Sequence, residues 1–253
     1  MPVVAGFNLT PVKSTALHQP DAIDLRADGT VGDRRFLFAR DTGERLSGIS
    51  KATLMPISSR WDTSEERLSL ALGPEHVKVG ALGHGEVIAV RLFDREVPAR
   101  RVHDDLDAFV RDITGDDTLS LMRVDRPEYG GGMHRVSIVS RASVADVGAR
   151  TGDAALDPRR FRMLIEVDGL DAYEEDAWQD QRVRIGGALV RCGERMPRCV
   201  MTTLDPDTGK QNAPVLDALA EHRKVGADLL LGVYGDVEQP GVIRIGDPVE
   251  VLD

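Results

Sequence analysis

The chain has 253 residues and carries 32 Lys+Arg against 42 Asp+Glu, a formal net charge of −10. With 42% hydrophobic and 29% charged residues it reads as one large folded domain or two modest ones, not a disordered chain. A pI near 5.1 gives no global basic field for nucleic acid, and two cysteines cannot build a disulfide framework, a four-Cys zinc site or an iron–sulfur cluster without a partner chain. No run approaches the ~18 apolar residues of a membrane span. Met1–Phe7 lacks the basic start and apolar block of a secretion signal, so a cytoplasmic location is expected.

Taken in order, Val3–Leu9 suits a short strand, and Pro11 then forces an extended or turning path. Arg35–Arg40 reads as a strand entering a turn at Asp41–Glu44, where Gly43 supplies the permissive dihedral. Glu86–Leu92 is a further strand. The first domain is expected to span 1–95 and the second 96–253, the boundary falling no later than about 130. Asp104–Asp112 places Leu106, Phe109 and Val110 at helical spacing, with acids in the first turn where the macrodipole favours them. Glu128–Met133 reads as a flexible glycine loop.

Val136–Val139 is a predicted strand, followed by a helix through Ala149 with Ser140 as its N-cap. Phe161–Val167 alternates too little for a surface strand and reads as a buried one. Val183–Val190, with Gly186-Gly187 at its middle, signals a hairpin. Ala213–His222 is helical, and Gly241–Leu252 reads as strand, Gly246-Asp247-Pro248 turn and final strand. Many close strands with isolated helices, without strict strand–helix alternation, give an α+β, β-rich class with barrel-like sheets.

The chemistry concentrates between Arg182 and Gly209. Between residues 182 and 199, Arg182, Arg184, Arg191, Arg195 and Arg198 stand with the single acid Glu194, inside an acidic protein. Guanidinium forks suit a phosphate; the same spacing also lines the solvent face of a hairpin. Cys199 follows Arg198, and nearby cations favour the thiolate that binds a soft metal. A lone buried cysteine is the other reading, and the one that suits Cys192. His134 is a candidate pocket residue after the glycine loop, whereas the other histidines lack metal-ligand spacing. The acids between Asp168 and Asp180 read either as a docking face for a basic redox partner or as a solvated segment.

Arg198-Cys199-Val200-Met201-Thr202-Thr203-Leu204-Asp205-Pro206-Asp207-Thr208-Gly209 resembles the hallmark of the MOSC family, the molybdenum-cofactor sulfurase C-terminal-like domain, in its amidoxime-reducing and YcbX-type branch. Pro11-Val12-Lys13-Ser14 is similar to the element opening that family's N-terminal β-barrel domain, and Gly32-Asp33-Arg34-Arg35-Phe36 to its D-R-x-W/F element. Ser140–Val147, Arg160-Phe161-Arg162 and Tyr173–Trp178 follow in family order. The resemblance implies an N-terminal β-barrel-like domain followed by a MOSC β-barrel with peripheral helices. It further implies a molybdenum cofactor with Cys199 as metal thiolate and catalytic centre, and Lys13, Ser14, Arg34, Arg162, Arg198 and His134 as cofactor contacts.

The departures from the pattern are local. Met196-Pro197 replaces a Cys-Ser pair, Met163-Leu164 replaces Pro-Asn, and Ser47–Lys51 lacks an expected arginine. The resemblance implies reduction of N-hydroxylated or N-oxide small molecules. A chain with no cluster cysteines and no recognised flavin or haem element then requires a separate electron-donor protein, a ferredoxin or a reductase. A non-catalytic carrier of the cofactor or of sulfur is the alternative. Neither nucleic acid nor membrane is expected as a partner.

Overall fold

In the computed structural model, which describes residues 1–46, 52–92, 95–102, 104–126 and 134–252, the chain opens with strand β1 (Val3–Phe7). Strand β2 (Ala22–Arg26) alternates exposed and buried residues with the period of two that a half-buried strand demands. It turns into β3 (Gly29–Thr30) and is followed by β4 (Phe36–Arg40), whose four leading residues are all buried. The turn after β4 closes at Gly43 (φ 80°), where a Cβ would collide with the Ala89 carbonyl oxygen. The expectations for Ser47–Lys51 and Glu128–Met133 lie outside the described residues.

A meander, β5 (Ser58–Asp62), β6 (Arg67–Leu72) and β7 (His76–Ala81), forms a three-stranded sheet that the sequence pattern does not announce. Next come β8 (Val87–Leu92), β9 (Arg95–Arg101), helix α1 (Asp104–Thr114) and β10 (Leu119–Val124). The order β4-β10-β9-β8 makes a second small sheet. Helix α1 buries Leu106 and Val110 against Phe36, Leu68, Leu70 and Leu121. Val87–Leu92 pairs with Arg95–Arg100 residue by residue, so this sheet runs across position 95.

Strand β11 (Val136–Ser140) is buried throughout, and Ser140 caps helix α2 (Arg141–Thr151) through Ala142 N–H···Oγ at 3.2 Å. Gly152 ends the helix in the left-handed conformation (φ 78°). Strand β12 (Ile165–Asp168) is shorter than the Phe161–Val167 expected. Asp157 caps a 3-10 turn over Pro158–Phe161, and Arg162 then takes φ 52°, which no strand accommodates. The predicted hairpin is present as β13 (Arg182–Ile185) and β14 (Ala188–Pro197), joined at Gly186 (φ 51°) and Gly187.

Helix α3 (Val215–His222) is the expected one, shortened by two residues. After it come β15 (Lys224–Val225), β16 (Asp228–Gln239), β17 (Gly241–Arg244) and β18 (Val249–Leu252). The last two strands are not a hairpin: β17 pairs with β2, and β18 with β13.

The main sheet runs β1-β12-β11-β16-β14-β13-β18 with β15 beside β16. It returns on itself where Val4 N–H reaches Asp247 O (2.9 Å), Gly246 N–H reaches Val4 O (2.8 Å) and Val249 N–H reaches Pro2 O (3.0 Å). The α+β, β-rich class therefore holds, with a nearly closed barrel filled by residues such as Phe7, Leu25, Ile138, Val167, Val190, Cys192 and Val233. Helices α2 and α3 pack Val144, Val147, Val215 and Leu219 against Val139 and Leu231. Among the described residues, no helix is long and apolar enough to cross a membrane.

Glu175 is fully buried at the start of α2, where Ser140 N–H (3.2 Å) and Ser143 Oγ–H (2.8 Å) donate to it. Burial pushes its carboxyl above the ordinary range despite those bonds. The folded state thus holds a proton at pH values where the unfolded chain has released it. This contribution to stability is complete below the unfolded value and is lost as pH rises through the folded one. Glu175→Gln is expected to flatten that falling limb in thermal melts taken from pH 4 to 8; parallel curves for the two proteins would contradict the assignment.

Candidate functional site

Asp33 is the anchor. Its carboxylate has no exposed surface, accepts Thr10 N–H at 2.8 Å and pairs with Arg34 Nη1 at 2.5 Å. Arg34 is itself buried, and its Nη2 donates to the Arg162 carbonyl at 2.7 Å, tying the first forty residues to the turn before β12. Arg162 answers with Nη2–H···O of Thr15 at 2.6 Å. Lys13 and Ser14 occupy that same loop: Lys13 N–H bonds to Phe36 O (2.8 Å) and Ser14 has φ 76°.

Arg198, just past the end of β14, donates through Nη2 to the Phe161 carbonyl and through Nη1 to Met163 Sδ (3.3 Å). Its guanidinium lies 5.6 Å from the centre of the Phe161 ring. The buried Met163, which stands where the family pattern has proline, therefore supports Arg198 from below.

Three guanidinium groups, Arg34, Arg162 and Arg198, are thus fixed mainly by backbone carbonyls, with Asp33 the carboxylate that pairs with Arg34. Arg162 Nη1 and Arg198 Nε are buried without a hydrogen-bond partner among the described residues. Burial, then the repulsion of Arg34, pushes the Arg162 pKa down to about 9; burial lowers Arg198 as well. Of six described non-glycine residues with positive φ, three are Ser14, Arg34 and Arg162. Left-handed backbone at such residues costs of order 1–3 kcal/mol each and collects where function demands a fixed geometry. A bound anion would satisfy the orphaned donors and relieve the repulsion.

Cys199 borders this cluster. It is exposed, sits ahead of a 3-10 turn over Val200–Thr203, and its carbonyl accepts Thr202 N–H (3.1 Å) and Oγ1–H (3.0 Å). The following turn is braced by Asp205, whose Oδ1 accepts from Asp207 N, Thr208 N and Thr208 Oγ1. Partial burial opposes its charge, but these bonds outweigh it and hold Asp205 below the usual carboxylate range. Gly209 (φ 71°) ends the turn so close to the N-terminal half that a Cβ would collide with the Ala52 carbonyl oxygen. Cys192 lies inside the barrel, where burial pushes its thiol up to about 12.

Arg182 and Arg191 face Glu238 (2.8 and 3.8 Å) and Arg195 faces Asp176 (3.6 Å), so the hairpin-surface reading applies to them and Arg198 joins the cluster. Asp176 also holds Arg223 at 2.6 Å, and Glu175 is buried, so the acidic stretch is largely engaged in the fold. His134 faces residues of β16. Its Nδ1 is 3.0 Å from Asp236 Oδ2 and its ring stacks on Tyr234 with centroids 4.9 Å apart.

Residues that the sequence reading left without a role are Asp33, Thr15, Arg160 and Tyr234. Asp33 and Arg160 stand inside the quoted motifs, which was their signal. Arg160 is buried, with Nη2 on Asn212 Oδ1 at 2.7 Å and its other two nitrogens without a hydrogen-bond partner among the described residues. Among the described residues, no group of three or more His, Cys, Asp or Glu is placed to hold a metal ion.

A family model described as the MOSC domain matches residues 125–250. The chain belongs to the MOSC-domain family. Human mitochondrial amidoxime-reducing component 1 is 35% identical to this MOSC protein over 124 residues, which cover 46% of this chain and 36% of that protein. The match thus spans about a third of the human relative's length. Mitochondrial amidoxime reducing component 2 of Bos taurus is 25% identical over 280 aligned positions, covering 97% and 82% of the two chains. The crystal structure of the YuaD protein from Bacillus subtilis superposes with a TM-score of 0.50 at 15% identity, covering 99% of this chain and 96% of that one, a likeness of fold.

Proposed function

We propose that this MOSC protein is a molybdenum-cofactor-dependent oxidoreductase that reduces N-hydroxylated or N-oxide compounds with electrons from a separate donor protein, a ferredoxin or a reductase. The observation that carries the reading is an exposed thiol, Cys199, at the edge of three arginines, two of which keep buried N–H groups with no hydrogen-bond partner among the described residues. That donor set fits a group with a soft metal at one end and a phosphate at the other. Relatives named as amidoxime-reducing components support the reaction class.

In this reading Cys199 ligates the metal as its thiolate, and Arg34, Arg162 and Arg198 hold the phosphate, Arg34 being oriented by Asp33. Lys13 and Ser14 add contacts from the loop beneath Arg162, and His134 serves the neighbouring wall. When bound, the cofactor supplies two-electron chemistry, and the protein supplies orientation and electrostatics. We place the division between the two halves after Val124, where the small sheet ends and the family match begins, and the protein in the cytoplasm.

Protein purified from a molybdenum-replete host should contain about one metal and one pterin per chain, and should consume a reduced dye donor when an N-hydroxylated amidine is added. Metal and pterin without turnover across such a panel would favour the carrier function; absence of both would overturn the reading.

A further inference from the structure

A second feature lies near Cys199. A cleft of about 370 Å³ is lined by Gln179, Glu194, Arg195, Pro197, Asp228, Leu230 and Tyr234. That size falls within the range of small-molecule sites. Pro197 lies two residues before Cys199, and Tyr234 in the cleft wall is within electrostatic reach of both Cys199 and Arg198.

Tyr234 is 3% exposed, and its hydroxyl has no hydrogen-bond partner among the described residues. Its ring is fixed by the His134 stack, and His134 by Asp236. A phenol held rigidly in a cleft wall, with its hydroxyl open to solvent and unpaired by described residues, can bond a ligand in place of water. Burial, despite Arg198, keeps the phenol above its ordinary pKa, so it remains protonated at neutral pH. The charged lining has one sign in excess. Arg195 is offset by Asp176 at 3.6 Å, and the Glu194 carboxylate is within ion-pair reach only of His134 (3.9 Å), itself held by Asp236, among the described residues. Asp228 has no ion-pair partner among the described residues.

We propose that this cleft binds a small organic cation, with the Tyr234 hydroxyl as its hydrogen-bond partner and Glu194 and Asp228 facing its charge. The proposal deepens the function above, and rests on it, by making the cleft the substrate side of Cys199 and setting a charge preference.

Three probes of one shape test it: benzamidine, benzamide and benzoate, titrated calorimetrically into the purified protein with metal content measured on the same samples. Benzamidine should bind at least about tenfold tighter than benzoate, and the Glu194→Gln/Asp228→Asn double variant should lose about tenfold of its affinity, as two exposed carboxylates would contribute. Tyr234→Phe should weaken benzamidine about threefold to tenfold without lowering the melting temperature, and Asp217→Asn, an acid on α3, should change nothing. Equal affinity for the three probes, binding by none of them, or benzamidine affinity untouched in the double variant or in Tyr234→Phe would overturn the proposal. Full metal content with no charge preference sinks this inference alone. A charge preference in protein that never acquires metal sinks the cofactor reading alone.

Discussion

Cys199→Ser protein from a molybdenum-replete host is expected to keep less than about a tenth of the wild-type metal, because a serine hydroxyl is not the soft, readily ionised ligand a thiol is. Its melting temperature should hardly change, since residue 199 is exposed and the surrounding turn is braced by backbone and Asp205 bonds. Cys192→Ser should do the reverse. The hydroxyl would be buried among the barrel's aliphatic side chains, at a cost of about 1–3 kcal/mol. Roughly 2–10 °C of melting temperature should be lost while metal per folded chain stays level. Equal metal loss in both variants, at unchanged stability, would assign the wrong thiol.

The second large effect divides the arginine cluster into a structural half and a binding half. Asp33→Ala leaves the buried Arg34 guanidinium without its counter-charge and Thr10 N–H without its acceptor. Breaking a buried pair in this way costs about 3–5 kcal/mol, roughly 6–20 °C in a chain of this size. Arg162→Met removes a cation that bonds only the Thr15 carbonyl among the described residues, carries an orphaned Nη1 and is repelled by Arg34. Its stability should move by less than about 1 kcal/mol, and upward is the favoured direction. Pterin retention should nonetheless fall about tenfold or more, the value of a charge-assisted bond to phosphate. Melting curves and pterin content of the two variants separate the roles; Arg162→Met protein that unfolds as early as Asp33→Ala protein would merge them.

Local signals explain what the sequence disclosed. Ser140 announces its helix because a cap acts within three residues, Gly186-Gly187 its hairpin because the turn is self-contained, and Cys199 its candidacy because the motif is contiguous. What escaped depends on distant partners. Strand β16, with two internal glycines and a six-residue buried run, lacks alternation because it sits between β11 and β14 with both faces covered. Phe161–Val167 looks like one strand because nothing within it betrays that Arg162 must turn left-handed to offer its carbonyl to Arg34, 128 residues away. Arg160 and Asp33 were visible as letters but not as buried groups, and Tyr234 gave no signal at all.

The seam that closes the main sheet has a practical meaning. Strand β1 covers the rim of β12 and meets the approach to β18, β2 covers β17, and Arg34 follows a few residues later, so the segment recognised as the family domain is completed by the start of the chain. A fragment beginning at residue 125 would carry two raw sheet margins, inviting one molecule to stack on the next, and a phosphate cradle with one wall missing. The unit is not portable. Any graft or truncation must bring the first forty or so residues along, whatever is done with the stretch between.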